Sequence, residues 1–130
     1  MSEQIIDPKF EERLVVTLDQ AEYDLSNCEE LAKALEPTYD ASTAIVDMTR
    51  VEYLDSTCLS KFLVMRKKRS DAGFPPSRLV ITSRMIRRLF EVTGFDKIWP
   101  VFDSLQAALD AEESVEPPQP QGGRSTNATN

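Results

Sequence analysis

The sequence predicts an α/β fold, a single domain in which about four helices pack on a mixed sheet of about four to five strands. Short runs rich in aliphatic and β-branched residues alternate along the chain with longer runs whose apolar residues recur at helical spacing. Capping residues, glycines and prolines separate these runs. With 130 residues, the chain is long enough to bury one hydrophobic core.

The first half of the chain contains the first predicted strands and one helix. Residues 13–18 form a short β-rich run, and residues 5–7 can add an edge strand. An S-x-x-E capping box places Ser26 at the start of a helix over residues 26–35, which a proline then ends. Residues 42–48 are mostly apolar, which is typical of a strand buried on both faces.

The second half continues the alternation. Ser56 is the expected N-cap of a helix over residues 57–71, which a glycine and two prolines end. A strand over residues 78–82 follows, and Ser83 can cap the next helix. The predicted apolar face of that helix consists of Met85, Ile86, Leu89, Phe90 and Val92.

The C-terminal part of the domain is predicted from three signals. Gly94 ends the preceding helix. Residues 97–102 form a short strand, which its proline confines to a sheet edge. Asp103 or Ser104 caps a last helix that extends to about Glu113.

The predicted domain therefore spans residues 1–113, and residues 114–130 form a disordered C-terminal tail. The tail is rich in Pro, Gly and Ser and cannot bury enough apolar surface to offset its chain entropy. The N-terminus lacks the pattern of a signal peptide, and no run approaches the roughly 18 apolar residues of a membrane span. We therefore expect a cytoplasmic protein.

The chain lacks the residues on which many enzyme sites depend. It has no histidine, which excludes Ser-His-Asp and Cys-His pairs, and it has no glycine-rich phosphate loop. Its two cysteines, Cys28 and Cys58, do not have the spacing of a structural zinc site. We therefore expect a protein that is not an enzyme and that uses no metal or cofactor.

Charge is distributed unevenly along the chain. Residues 61–97 contain ten of the 15 basic residues and three acidic ones, so this segment is +7 within a chain of −7. The segment can be a solvated helix surface, a docking face for an acidic partner or a nucleic-acid surface. Nucleic acid is disfavoured, because the chain is acidic overall and Phe62 and Phe90 lie on apolar faces.

The hydroxyl and acidic residues Asp55-Ser56-Thr57 stand between a predicted strand and a predicted helix. One interpretation is that Ser56 only caps the helix. Another is that its hydroxyl accepts a phosphoryl group, because a helix N-terminus carries free amides and partial positive charge. Such a modification would change the surface charge without unfolding the domain.

Three segments resemble the STAS domain, which is found in anti-sigma factor antagonists and in sulphate transporter tails. D-M-T-R-V-E-Y-L-D-S-T-C-L, residues 47–59, is similar to the family pattern D-x-S-x-V-x-x-I-D-S-S-G-L. Upstream, A-E-Y-D with Glu22 and Asp24 is similar to G-E-L-D. Downstream, residues 83–94 resemble the family's third helix and its glycine stop, so the likeness spans about residues 10–112.

The resemblance implies an anti-sigma factor antagonist with a single STAS-like domain. Such a protein binds a serine kinase of the GHKL ATPase type, which is also an anti-sigma factor. The kinase phosphorylates the serine after the aspartate, here Ser56, and a PP2C-type phosphatase removes the phosphate. The implied partner-binding residues are Asp24, Asp55, Thr57, Cys58 and Lys61. The resemblance implies no cofactor, no direct contact with nucleic acid and no membrane insertion.

One position departs from the family pattern, since Cys58 replaces a glycine and adds volume where a partner's backbone approaches. Cys58 can also be a reactive thiol, because a helix N-terminus lowers thiol pKa, or simply a small, partly buried residue. Two other functions remain open. One is a STAS scaffold subunit of a stressosome-like or lipid-transport complex, without phosphorylation of Ser56. The other is an aspartyl phosphoacceptor that uses Asp47.

Overall fold

The structure is a computed structural model that describes residues 13–111. The described strands are β1 (Arg13–Thr17), β2 (Glu22–Tyr23), β3 (Thr43–Asp47), β4 (Tyr53–Leu54), β5 (Arg78–Val80) and β6 (Val101–Phe102). The α-helices are α1 (Cys28–Leu35), α2 (Leu59–Asp71), α3 (Arg84–Thr93) and α4 (Leu105–Asp110). Short 3₁₀ turns occupy Glu36–Asp40, Ser56–Cys58 and Phe95–Lys97.

The main sheet has the strand order β1-β3-β5-β6, and strands β2 and β4 form a separate two-stranded sheet. The predicted α/β class, with four helices and a four-stranded sheet, is confirmed. The sheet was expected to be mixed, but every pairing among the described strands is parallel. A helix connects each consecutive pair of strands in the main sheet, and such a crossover returns the chain to the same direction.

The main sheet separates a large core from a small one. Val46 and Leu79 point into the large core, which α1, α2 and α3 cover. Ile45 and Val80 point into the small core, which α4 covers around Ala108. Strand β3 is therefore buried on both faces, as its apolar sequence predicts.

The single tryptophan, Trp99, lies inside an aromatic cluster of the large core. Its ring centroid is 5.3 Å from that of Phe95 and 6.0 Å from that of Phe62, and its side chain is 1% exposed. The indole Nε1 has no hydrogen-bond partner within residues 13–111. Trp99 is therefore a packing residue whose fluorescence can report on unfolding.

A buried arginine, Arg69, joins α2 to distant segments of the backbone. Its guanidinium donates to the carbonyls of Thr38, Ala41 and Ser42, and its Nε donates to Pro75. Burial lowers the pKa of Arg69 to about 10, so the group is still charged at neutral pH. Arg69 therefore has a structural role in the core, although the basic segment that contains it was expected to form a surface.

Two of the predicted helix caps are confirmed, and the one at Ser26 is wrong. Ser83 and Ser104 accept hydrogen bonds from the amides of Ile86 and Ala107 at the starts of α3 and α4. The capping box at Ser26 does not form, because α1 begins at Cys28 and the Ser26 hydroxyl donates to a nearby carboxylate instead. The capping preferences of individual residues therefore did not identify which of the neighbouring polar residues, Ser26 or Asn27, precedes the helix.

The predicted apolar face of α3 is only partly buried. Ile86 and Phe90 are buried, but Met85 is 59% exposed and Val92 is 65% exposed. Gly94 ends the helix at a φ of 80°, which favours glycine, as predicted. The next strand covers only Val101–Phe102 instead of residues 97–102, and a 3₁₀ turn over Phe95–Lys97 takes up the first residue of the predicted strand.

Three of the predicted features lie outside the described residues. They are the edge strand at residues 5–7, the end of the last helix near Glu113 and the tail over residues 114–130.

Candidate functional site

The small β2–β4 sheet builds the candidate site. Tyr23 pairs with Leu54, and the next backbone bond runs from the Asp55 amide to the Tyr23 carbonyl at 2.9 Å. Asp24 and Asp55 therefore leave the ends of two adjacent parallel strands on the same side of the molecule. This register places Asp24 on the strand next to the one that leads into Ser56.

Asp55 caps the turn that carries the serine. Its Oδ1 accepts a hydrogen bond of 3.0 Å from the amide of Thr57, and its carbonyl accepts one of 2.8 Å from the amide of Cys58. Asp55 has extended backbone angles, with φ −74° and ψ 143°, whereas Ser56 already lies in the 3₁₀ turn. The prediction that Ser56 is the cap is therefore wrong by one residue, because the chain turns helical earlier than expected.

The hydroxyl of Ser56 is exposed and makes no hydrogen bond within the described part of the chain. Thr57 is also exposed, and its carbonyl accepts a hydrogen bond of 3.2 Å from the Ser60 hydroxyl. Because Ser56 takes no part in the cap, its Oγ can be modified without the loss of a bond that holds the turn.

Asp24 is fixed by hydrogen bonds within its own loop. Its Oδ1 accepts from the Ser26 hydroxyl at 2.6 Å and from the Ser26 amide at 2.9 Å, and its amide donates to Asn27. The bond from the Ser26 side chain, with further help from the Ser26 amide, lowers the pKa of Asp24. Asp24 therefore presents an anion beside the turn at neutral pH.

The side chain of Cys58 points away from the partner surface on which it was expected. It is 0% exposed and lies in the large core with Cys28. Burial, and next the neighbouring Cys28, raise the pKa of Cys58 to about 11. A thiol with this pKa is protonated at neutral pH, so the structure opposes the interpretation of Cys58 as a reactive thiol.

Lys61 connects α2 to α1 near the candidate site. Its Nζ lies 3.0 Å from Glu29 Oε2, and this bond raises the pKa of Lys61. The ammonium group is thus already paired at the surface, and a partner carboxylate would have to share it with Glu29.

The alternative acceptor, Asp47, lies at the end of β3. Its Oδ1 accepts a hydrogen bond of 3.0 Å from the Thr49 amide, which orders the following turn. Within residues 13–111, no group of three His, Cys, Asp or Glu side chains is arranged to hold a metal ion. In the same part of the chain, every helix is too short or too polar to cross a membrane.

The basic residues of segment 61–97 do not form one face. Arg69 is buried, Lys67 pairs with Asp71 at 3.2 Å, and Arg87 pairs with Asp103 at 2.9 Å. The high positive charge of the segment is therefore divided among a buried structural arginine, exposed ion pairs and exposed cations, such as Arg66 and Arg84, that have no ion pair within residues 13–111.

Sequence patterns missed the β2–β4 sheet that places the acidic residues. Each of these strands is two residues long, which is too short for an alternating pattern. The available signal is that E-Y-D (22–24) and Y-L-D (53–55) each place an exposed residue, a buried one and then an aspartate in order, since Tyr23 and Leu54 are buried and Glu22 and Tyr53 are exposed.

Comparison with protein families gives a match over most of the chain. Residues 6–108 match the family described as STAS domain. This range contains all described strands and the first residues of α4. Comparison with curated proteins gave no match.

Several solved structures share the fold. An anti-sigma factor antagonist from Mycobacterium paratuberculosis is 24% identical, with 77% of this chain and 86% of that chain covered and a TM-score of 0.67. An anti-sigma-factor antagonist (STAS) domain protein from Planctomyces limnophilus is 20% identical, with 76% and 89% covered and a TM-score of 0.64. The anti-sigma factor antagonist SpoIIAA in its unphosphorylated form is 17% identical, with 81% and 92% covered and a TM-score of 0.63.

Proposed function

Because the chain belongs to the STAS domain family, we propose that it is an anti-sigma factor antagonist. The surface around Ser56 binds a GHKL-type serine kinase that also acts as an anti-sigma factor. Binding of the unphosphorylated chain occupies the kinase and frees the sigma factor. Phosphorylation of Ser56 ends the binding, and a PP2C-type phosphatase restores it.

The observation that carries this proposal is the free hydroxyl of Ser56 on a turn that Asp55 holds. The Asp55 carboxylate bonds the Thr57 amide at 3.0 Å, so the turn does not depend on the serine side chain. Ser56 is exposed, and its Oγ can therefore reach the active site of a kinase. This arrangement supports modification of Ser56 without loss of the fold.

Electrostatics explain how the modification would end binding. A phosphoserine adds about −1.5 to −2 charges at neutral pH. Asp55 precedes it, and the ionised Asp24 leaves the adjacent strand of the small sheet. Phosphorylation therefore concentrates negative charge at one surface, and like charges placed opposite one another at an interface cost several kcal/mol.

The burial of Cys58 removes an objection to this function. The family has glycine at this position, and a larger residue there can obstruct a partner's backbone. The Cys58 side chain is 0% exposed and packs inward, so its added volume does not reach the surface. The serine turn can therefore meet a partner as closely as it would with glycine.

We further propose a cytoplasmic, non-enzymatic protein in which residues 1–113 form the binding domain and residues 114–130 take no part in binding. The proposal is tested by titrating the full chain against the GHKL kinase that it binds, with calorimetric measurement of affinity. Ser56→Asp should weaken binding by at least about tenfold, which corresponds to about 1.4 kcal/mol. Ser56→Ala should bind like the wild type.

The matched control is Ser70→Asp, which adds the same charge to an exposed position at the opposite end of α2. This variant should keep the wild-type affinity within about twofold, because its charge is remote from the turn. Equal affinities of the wild type, Ser56→Asp and Ser70→Asp would contradict the switch and favour a STAS scaffold.

A further inference from the structure

A groove of about 740 Å³ runs along the outer side of α3. Its lining comes from the two residues that follow β5, from α3 and from Asp103, which follows β6. None of these residues belongs to the turn that carries Ser56. The lining of the groove therefore does not overlap with that turn.

Three arginines of α3, Arg84, Arg87 and Arg88, give the groove its charge. Arg87 is held in place, because its Nη1 lies 2.9 Å from Asp103 Oδ1 and 3.4 Å from the Ile81 carbonyl. Arg84 and Arg88 are exposed and have no ion pair within residues 13–111. Two like charges one helical turn apart destabilise a helix slightly, and an anion shared between them would remove this repulsion.

An apolar side chain lies beside these cations. Met85 lines the groove and is 59% exposed, although the amphipathic pattern of α3 predicted it to be buried. Methionine is flexible and polarisable, and it adapts to differently shaped apolar groups at binding surfaces. The groove therefore combines two unpaired guanidinium groups with one apolar contact.

We propose that this groove binds an acidic segment of a partner protein. Carboxylates of the segment pair with Arg84 and Arg88, in the forked geometry that guanidinium groups favour, and an apolar side chain packs on Met85. Among the lining residues, Asp103 is already neutralised by Arg87, and Glu91 lies three residues beyond Arg88 but seven beyond Arg84 on α3. The first turn of α3 is thus the most positive part of the groove and anchors the segment.

The observations favour an acidic peptide over the other anions. Sites for small ligands usually enclose most of the ligand, whereas Arg84, Met85 and Arg88 lie exposed on the outside of a helix. No lining residue of the groove is aromatic, so nucleic-acid bases have nothing to stack on, and the chain carries a net charge of −7.

The test is an NMR titration of the full ¹⁵N-labelled chain with a short blocked peptide of Asp and Glu residues around one Leu. Amide shifts should concentrate in α3, and Arg84→Glu/Arg88→Glu should weaken affinity roughly tenfold or more. The control is Arg66→Glu/Lys68→Glu, which reverses two exposed cations of α2 and changes the net charge equally. The control should weaken affinity less than about threefold.

Met85→Ala should weaken peptide binding severalfold, and replacing the peptide's Leu by Gln should do the same.

The proposal is overturned if the matched Gln/Asn peptide binds equally well, or if the two double variants lose affinity equally. Tighter binding of inorganic phosphate or of a short oligo(dT) would also overturn it. If a variant does not fold, the amide shifts of the wild-type chain test the proposal on their own. Shifts that concentrate outside α3 would contradict a peptide site in this groove. Ser56 plays no part here, so failure of this test leaves the proposed switch standing.

Discussion

The carboxylate of Asp55 bonds the backbone amide of Thr57 at 3.0 Å and thereby holds the turn on which the Ser56 hydroxyl is presented. One residue supplies the cap and the next supplies the free hydroxyl. The hydrogen bond that stabilises the turn is therefore separate from the hydroxyl that we propose is modified. It also gives the two residues different expected responses to substitution.

Replacement of the capping residue should destabilise the domain more than replacement of the serine. Asp55→Ala removes a side-chain cap, which typically contributes about 0.5–2 kcal/mol, and we expect a loss of about 1 kcal/mol. Ser56→Ala removes an exposed hydroxyl that makes no bond within residues 13–111, so the loss should stay within about 0.5 kcal/mol. Urea denaturation followed by Trp99 fluorescence measures both losses. An equal or larger loss in the free energy of unfolding for Ser56→Ala would show that the serine side chain caps the turn.

Replacement of the buried arginine should be far more damaging than replacement of an exposed one on the same helix. Arg69→Lys keeps the charge but cannot donate to four carbonyls in separate segments, so we expect a loss of about 2–4 kcal/mol. Arg66→Lys, at an exposed position, should change the free energy of unfolding by less than about 0.5 kcal/mol. Similar unfolding midpoints for the two variants would show that the carbonyl contacts are unimportant.

Titration of the buried thiol should weaken the domain at alkaline pH. The folded pKa of Cys58 is about 11, above the ordinary thiol value of 9.0, so the folded state holds this proton more tightly than the unfolded state. The contribution is complete below pH 9 and is lost as pH rises towards 11, by about 3 kcal/mol at most. The free energy of unfolding of the wild type should therefore decrease more steeply over this range than that of Cys58→Ala. Parallel pH profiles would contradict the assigned pKa.

Removal of residues 114–130 should leave the melting temperature and kinase binding nearly unchanged. The only apolar residues of the segment are one Val and one Ala, so it offers little surface to bury. Differential scanning calorimetry of the full and shortened chains measures the effect. A decrease of more than about 4 °C, equivalent to roughly 1 kcal/mol in a domain of this size, would mean that the segment packs on the domain.

Features with short-range causes could be predicted from the sequence. Gly94 ends α3 and Ser83 starts it, because each signal acts within one helical turn. The alternation of strands and helices gave the α/β class for the same reason. Where two polar residues stood side by side, as at Asp55 and Ser56, local preference left the cap uncertain by one residue, and the backbone angles decided it.

Features with long-range causes could not be predicted. The partners of Arg69 lie up to 31 residues away in sequence, so its burial depends on the finished fold. The two-residue strands β2 and β4 are defined only by their pairing with each other, which joins residues about 30 positions apart. Likewise, the exposure of Met85 reflects the absence of a neighbour over that side of α3 within residues 13–111, and helical periodicity carries no information about this.

We propose above all that Ser56 is the residue that the partner kinase phosphorylates. The most direct measurement is incubation of the chain with that kinase and ATP, followed by peptide mass spectrometry, with Ser56→Ala as the control. We expect one phosphate, located on Ser56, no phosphate on the control, and release of the modified chain from the kinase. Phosphate on Thr57 or elsewhere, or no phosphate despite tight binding of the kinase, would contradict it.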